Sequence, residues 1–106
     1  MLLTNYTIYQ LPADNDFCFM GSDFWNRKGR TVDINEYNKV YTGYTDINSE
    51  SEEDISESLE MIYQNFNINK PSDYTGRSLS MSDIIEFNVL GNIRRFYVDF
   101  VGFTEI

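Results

Sequence analysis

A chain of 106 residues with 17 acids, 8 bases and no histidine has room for one packed core and is closed to several chemistries at the outset. Its formal charge of −9 disfavours direct binding to nucleic-acid backbones or anionic membranes. Without histidine there is no Ser-His-Asp or Cys-His arrangement and no ordinary Cys/His zinc site.

Aromatic residues make up 16% of the chain, and the area they can bury argues against disorder. A single domain over residues 1–106 is expected. No apolar run approaches the roughly 18 residues that a membrane span needs. The start, Met1-Leu2-Leu3-Thr4-Asn5, lacks the basic region and long apolar segment of a signal peptide. Cys18 is the only cysteine and suits a reducing compartment, so a cytoplasmic location is expected. Phosphate-binding loops of the GxxxxGK[ST] or GxGxxG type are missing, as is an EF-hand loop. No metal, cofactor or catalytic residue is therefore assigned.

In chain order, Tyr6-Thr7-Ile8-Tyr9-Gln10-Leu11 is rich in β-formers and stops at Pro12, which predicts a first strand. Ala13–Asp16 is a polar turn. Phe17–Met20 reads as a short strand or a buried connector, with Cys18 an inert thiol between two phenylalanines. Gly21–Arg30 reads as a loop holding Trp25 and the densest basic cluster, Arg27, Lys28 and Arg30. That patch has two readings: a weak site for stacked bases and phosphates, or bases paired within the chain with the acidic helix.

Asp33-Ile34-Asn35-Glu36 has the form of a capping box. Ile34, Tyr37, Val40 and Tyr41 follow at helical spacing, and Gly43 suits a left-handed stop. A short first helix is expected there. The second helix is better defined. Ser51 caps it, and Glu52, Glu53 and Asp54 lie at the positive end of its dipole. Ile55, Leu59, Ile62 and Phe66 form one stripe, with Glu53, Glu57, Glu60 and Gln64 opposite. Pro71 lies in the segment that ends it.

After Gly76, Ser80 and Asp83 suggest another capping box with one helical turn, and Arg77 is expected to pair with Asp83 or Asp99. Ile84–Phe87 reads as a strand. Gly91-Asn92 is a turn, and Arg94–Val101 alternates, with Phe96, Val98 and Phe100 on one face and Arg95, Tyr97 and Asp99 on the other. These two strands form an antiparallel hairpin. Gly102 bends the end, and Phe103 and Ile106 are expected in the core. The fold class is α+β: an antiparallel sheet, including the N-terminal strand and the C-terminal hairpin, packed on two helices.

Several segments in this order resemble the YodL-like domain family of small bacterial, mobile-element and phage proteins. They are Tyr6–Leu11, Tyr37-Asn38-Lys39-Val40-Tyr41 with Gly43, Leu59–Tyr63 with Phe66-Asn67, Gly76-Arg77-Ser78-Leu79-Ser80-Met81-Ser82-Asp83, Phe96–Asp99, and Gly102–Ile106. Met81 and the acidic stretch Asp46–Asp54 depart from the family pattern. The resemblance implies a mobile-element or bacterial setting and action by contact with other proteins, and it brings no catalytic residues.

Charge and setting together suggest a counter-defence inhibitor of the anti-CRISPR or anti-restriction type. Glu50, Glu53, Glu57 and Glu60 would imitate a row of phosphates on the basic surface of a Cas or restriction nuclease, with Tyr63 and Tyr44 as neighbouring contacts. The plainer reading of the acidic row is a merely solvated helix face. The alternative functions are a host regulator that binds a cytoskeletal or division protein, and a structural accessory module of mobile-element proteins.

Overall fold

The computed structural model describes residues 2–106. The first strand, β1 (Leu2–Gln10), starts four residues before the predicted one and ends just ahead of Pro12, whose ring cannot donate to a sheet. Pro12–Met20 then runs as successive turns that bury Phe17 and Cys18, so this segment is a connector and not a strand.

Gly21–Arg30 is not a plain loop. It holds a six-residue helix, α1 (Asp23–Lys28), stopped by Gly29 at φ 72°. An acid in its first turn and two bases in its last complement the helix dipole.

The largest departure from expectation follows. The side chain of Asp33 does accept a hydrogen bond, from the Asn35 amide, but the helix it starts is a single 3₁₀ turn, Ile34–Glu36. The chain then extends as β2 (Asn38–Ile47). Val40, Tyr41, Thr42, Tyr44 and Thr45 are β-branched or aromatic, and such residues favour a pleated surface over a helix. Gly43 is therefore a strand residue and not a helix stop. It lies directly beneath the Tyr6 ring, where an added Cβ would come within 2.7 Å of the Tyr6 hydroxyl.

The long helix α2 (Glu52–Ile68) begins as expected, with the Ser51 hydroxyl accepting from the Asp54 amide. Its inner residues Ile55, Leu59, Ile62 and Phe66 are all buried. Each such side chain contributes on the order of 1.5–3 kcal/mol of hydrophobic stabilisation. The Ser80–Asp83 segment forms a turn without a helix, in which the Asp83 carboxylate accepts from the Ser80 amide.

The hairpin of β3 (Ile84–Val89) and β4 (Asn92–Val98) turns through Leu90 and Gly91, both at positive φ (52° and 90°). Such a pair forms the two-residue turn whose twist matches the strands. After Gly102 a short β5 (Phe103–Glu105) returns antiparallel to β4. Phe103 packs against the core, whereas Ile106 stays 47% exposed and Phe100 80% exposed. The alternation of β4 ends at Val98, because Asp99–Gly102 is already a turn.

The five strands form one antiparallel sheet in the order β2-β1-β3-β4-β5. On one face α2 covers Tyr6, Ile8, Ile85, Phe87, Val89 and Phe96. On the other, Leu11, Phe17, Cys18, Tyr37, Ile84 and Tyr97 make a second cluster, with Trp25 and Phe24 of α1 packed against it. Two helices do cover the sheet, but one of them is α1 and the other is α2.

Candidate interaction surface

The outward face of α2 follows from its sequence period. With the stripe Ile55–Phe66 turned inward, Glu53, Glu57 and Glu60 stand exposed, a turn apart. None of the three takes part in an ion pair among the described residues. Their charge is thus free to act outward.

Glu50 lies outside this row. Its carboxylate accepts from the Asn92 amide group at 3.0 Å and stands 4.0 Å from Arg94. Arg94 in turn holds Glu105 through two hydrogen bonds of 2.9 Å. This arginine holds the Glu105 carboxyl below its usual range. Tyr63 is half-buried, its ring packed edge-on against Phe103. With Glu60 it lines a groove whose other wall is Val98, Asp99, Gly102 and Phe103. Tyr44 is 70% exposed, but it sits on β2 opposite Asn5, on the sheet face away from α2. Of the six residues expected to form the contact, the fold groups Glu53, Glu57, Glu60 and Tyr63.

The same groove leads to a feature that the sequence pattern did not reveal. Phe100 and Val101, at the tip of the β4–β5 turn, are 80% and 82% exposed. They are not loosely held. Asp99 accepts hydrogen bonds from the amides of Ser22 at 2.9 Å and Phe100 at 2.8 Å and from the Thr104 hydroxyl, while its own amide donates to the Gly102 carbonyl. Burial works to raise the Asp99 carboxyl, and the hydrogen bonds from Ser22, Thr104 and Phe100 outweigh it, holding it at about 2. Asp23 and Met81 border the hollow beneath the tip. An exposed apolar pair on a pinned turn next to acids has the make-up of a binding anchor with a charged rim. The one hint in the sequence is Gly102, at φ 67° just after Val101, which marks a bend but not the side chains that the bend exposes.

The other candidates resolve into structural roles. Arg77 donates to the Leu11 carbonyl at 2.8 Å and lies 3.7 Å from Asp83, the first of its two expected partners. Asp83 is fully buried and also accepts from Gln10 at 3.0 Å. Burial pushes its carboxyl up, against the pull of the Ser80 amide, Gln10 and Arg77, to about 6. Ser82 accepts from the Phe19 amide at 2.9 Å. The serine-rich block therefore ties the connector Pro12–Met20 to the sheet.

The basic patch near Trp25 is paired within the chain, but not with α2. Arg27 lies 3.9 Å from Asp23, Lys28 4.0 Å from Asp16 and Arg30 3.5 Å from Glu36. Trp25 itself packs edge-on against Tyr97. Among the described residues, no cluster of Asp, Glu or Cys is arranged to hold a metal ion, and no helix is long and apolar enough to cross a membrane.

Compared with known proteins, residues 5–106 match the family model of the YodL-like domain. No curated protein and no solved structure matches the chain.

Proposed function

The chain belongs to the YodL-like domain family, and from that premise we propose that it is a non-enzymatic binding domain of a mobile element or phage that inhibits a nucleic-acid-handling effector. Its target is the basic working surface of a Cas or restriction nuclease. The observation that supports this reading most is the unpaired row Glu53, Glu57 and Glu60 on a helix rigidly seated by its apolar stripe. Carboxylates held in this way meet lysines and arginines without first breaking internal ion pairs, and they steer encounter at low salt. Tyr63 lies beside Glu60 at the end of the row and supplies a desolvated part of the contact, in a groove whose other wall includes Asp99 and Gly102, the residues that flank the Phe100–Val101 tip.

The test uses affinity capture on the intact chain in lysate of a bacterial host that encodes such effectors, followed by nuclease assays with the captured effector. The expected result is a basic effector whose cleavage is blocked. Glu53→Lys/Glu57→Lys/Glu60→Lys should abolish the block, and raised salt should weaken it. Unchanged inhibition by that triple variant would sink the proposal.

The apolar tip favours a second reading, in which the domain is a host regulator held on a cytoskeletal or division protein mainly by Phe100 and Val101. Binding that survives high salt and the triple variant but is lost in Phe100→Ala selects it.

A further inference from the structure

The two edges of the sheet differ. One ends on β5, three residues long, and the other on β2, ten residues long. The outer backbone of β2 has no strand partner among the described residues. Exposed edges in natural proteins are normally blunted by proline, inward charge or a bulge, because a free row of amides and carbonyls is a template for another strand. In β2 the single bulge lies at its start, where the register skips Val40. From Tyr41 to Thr45 there is neither a charge nor a proline.

We infer that this edge pairs antiparallel with the β2 edge of a second copy of the chain, joining two sheets into one. Charge complementarity selects the partner. Lys39 and Asp46 stand near opposite ends of β2, both exposed. Both lie on the same sheet face, because their β1 partners are Tyr9 and Leu3, an even number of residues apart. Asp54 and Glu57 border the same cleft as Asp46 and deepen the negative end. A strand with one basic and one acidic end is complementary to itself when reversed, which is the condition a two-fold contact imposes.

With the axis at Gly43, Thr42 meets Tyr44 and Tyr41 meets Thr45. Asp46 then meets Lys39, because the bulge at Val40 takes up one residue. At −9 per copy most like-on-like contacts would repel, whereas this edge sets opposite charges against each other twice.

The inference does not rest on the proposed target, and sedimentation velocity on the intact chain over a range of concentrations tests it without any partner. A monomer–dimer equilibrium is expected. Lys39→Glu or Asp46→Lys alone should each raise the dimer dissociation constant about tenfold. The double swap, which keeps the net charge, should restore it. An equimolar mixture of the two single variants should form a heterodimer, since each then offers what the other lacks. Circular dichroism checks that the exposed substitutions leave the fold intact. A monomer at all concentrations overturns the pairing, as does a dimer that ignores both single swaps or is not rescued by the double one.

Discussion

The two faces of the sheet are covered in opposite ways. On one, a regular helix brings its backbone hydrogen bonds with it and offers mainly apolar side chains. Phe66, for example, meets Tyr74, Tyr41 and Tyr6 edge-on at ring separations of 4.8, 5.1 and 6.2 Å. On the other, irregular chain does much of the covering, and its free amides and carbonyls need partners. Tyrosine hydroxyls supply two of them. Tyr37 donates to the Ser82 carbonyl and Tyr97 to that of Met20, each at 2.6 Å. Burial pushes both phenols up, Tyr97 to about 12 and Tyr37 further. A regular element can be held by packing alone, whereas an irregular one must also be held by buried polar groups, and those are sensitive to pH.

The comparison is broken most severely on the helical face. Phe66→Ala should cost about 3–5 kcal/mol through lost burial and the cavity left behind, measured by chemical denaturation, with little dependence on pH. A loss below 1 kcal/mol would mean that α2 is not seated as described.

On the other face, Asp83 should make stability depend on pH. Its folded carboxyl lies at about 6, above the ordinary aspartate value of 3.8, so the folded state holds the proton more tightly than the unfolded state. The stabilisation is complete below about pH 4 and is lost as pH rises through 6, about 3 kcal/mol in all. Asp99, held at about 2, acts in the opposite direction and only as pH falls below 4, so the two windows separate. Denaturation curves from pH 4 to 7 should show the decline, and Asp83→Asn should flatten it. An equal decline in that variant would assign the effect to general charge repulsion.

A smaller effect is expected from Tyr37→Phe, about 1 kcal/mol for the single buried hydrogen bond, with faster amide exchange around Ser82. The smallest belongs to Glu57→Gln. It removes one exposed charge that takes part in no ion pair, and should move stability by no more than about 0.5 kcal/mol. A larger gain in stability would show that the acidic row is under mutual strain in the free protein.

How much was legible depended on how local each signal was. The Ser51 cap, the stripe Ile55–Phe66 and a C-terminal hairpin are written in short stretches of sequence, and the fold realises them, with the hairpin turn at Leu90–Gly91, one residue before the expected Gly91-Asn92. The segment after Asp33 misled because Ile34, Tyr37, Val40 and Tyr41 satisfy a helical period while Val40–Thr45 is equally strong strand sequence. Pairing of Ile8 with Tyr41 and Leu2 with Ile47 decided the matter. Of the candidate surface, the acidic row could be read in advance, and the Phe100–Val101 tip could not.

The sequence alone therefore determined an α+β domain with one amphipathic helix, a C-terminal hairpin and a cluster of acids with nothing basic nearby. Only the tertiary structure decided that Glu50 is drawn to Arg94, that Tyr44 lies on the far face, that Asp83 is buried beside Arg77, and that β2 is left as a free edge. The division has a physical cause. Periodicity and capping are fixed by neighbours within a few residues, whereas burial, charge pairing and edge position depend on which distant strands come together.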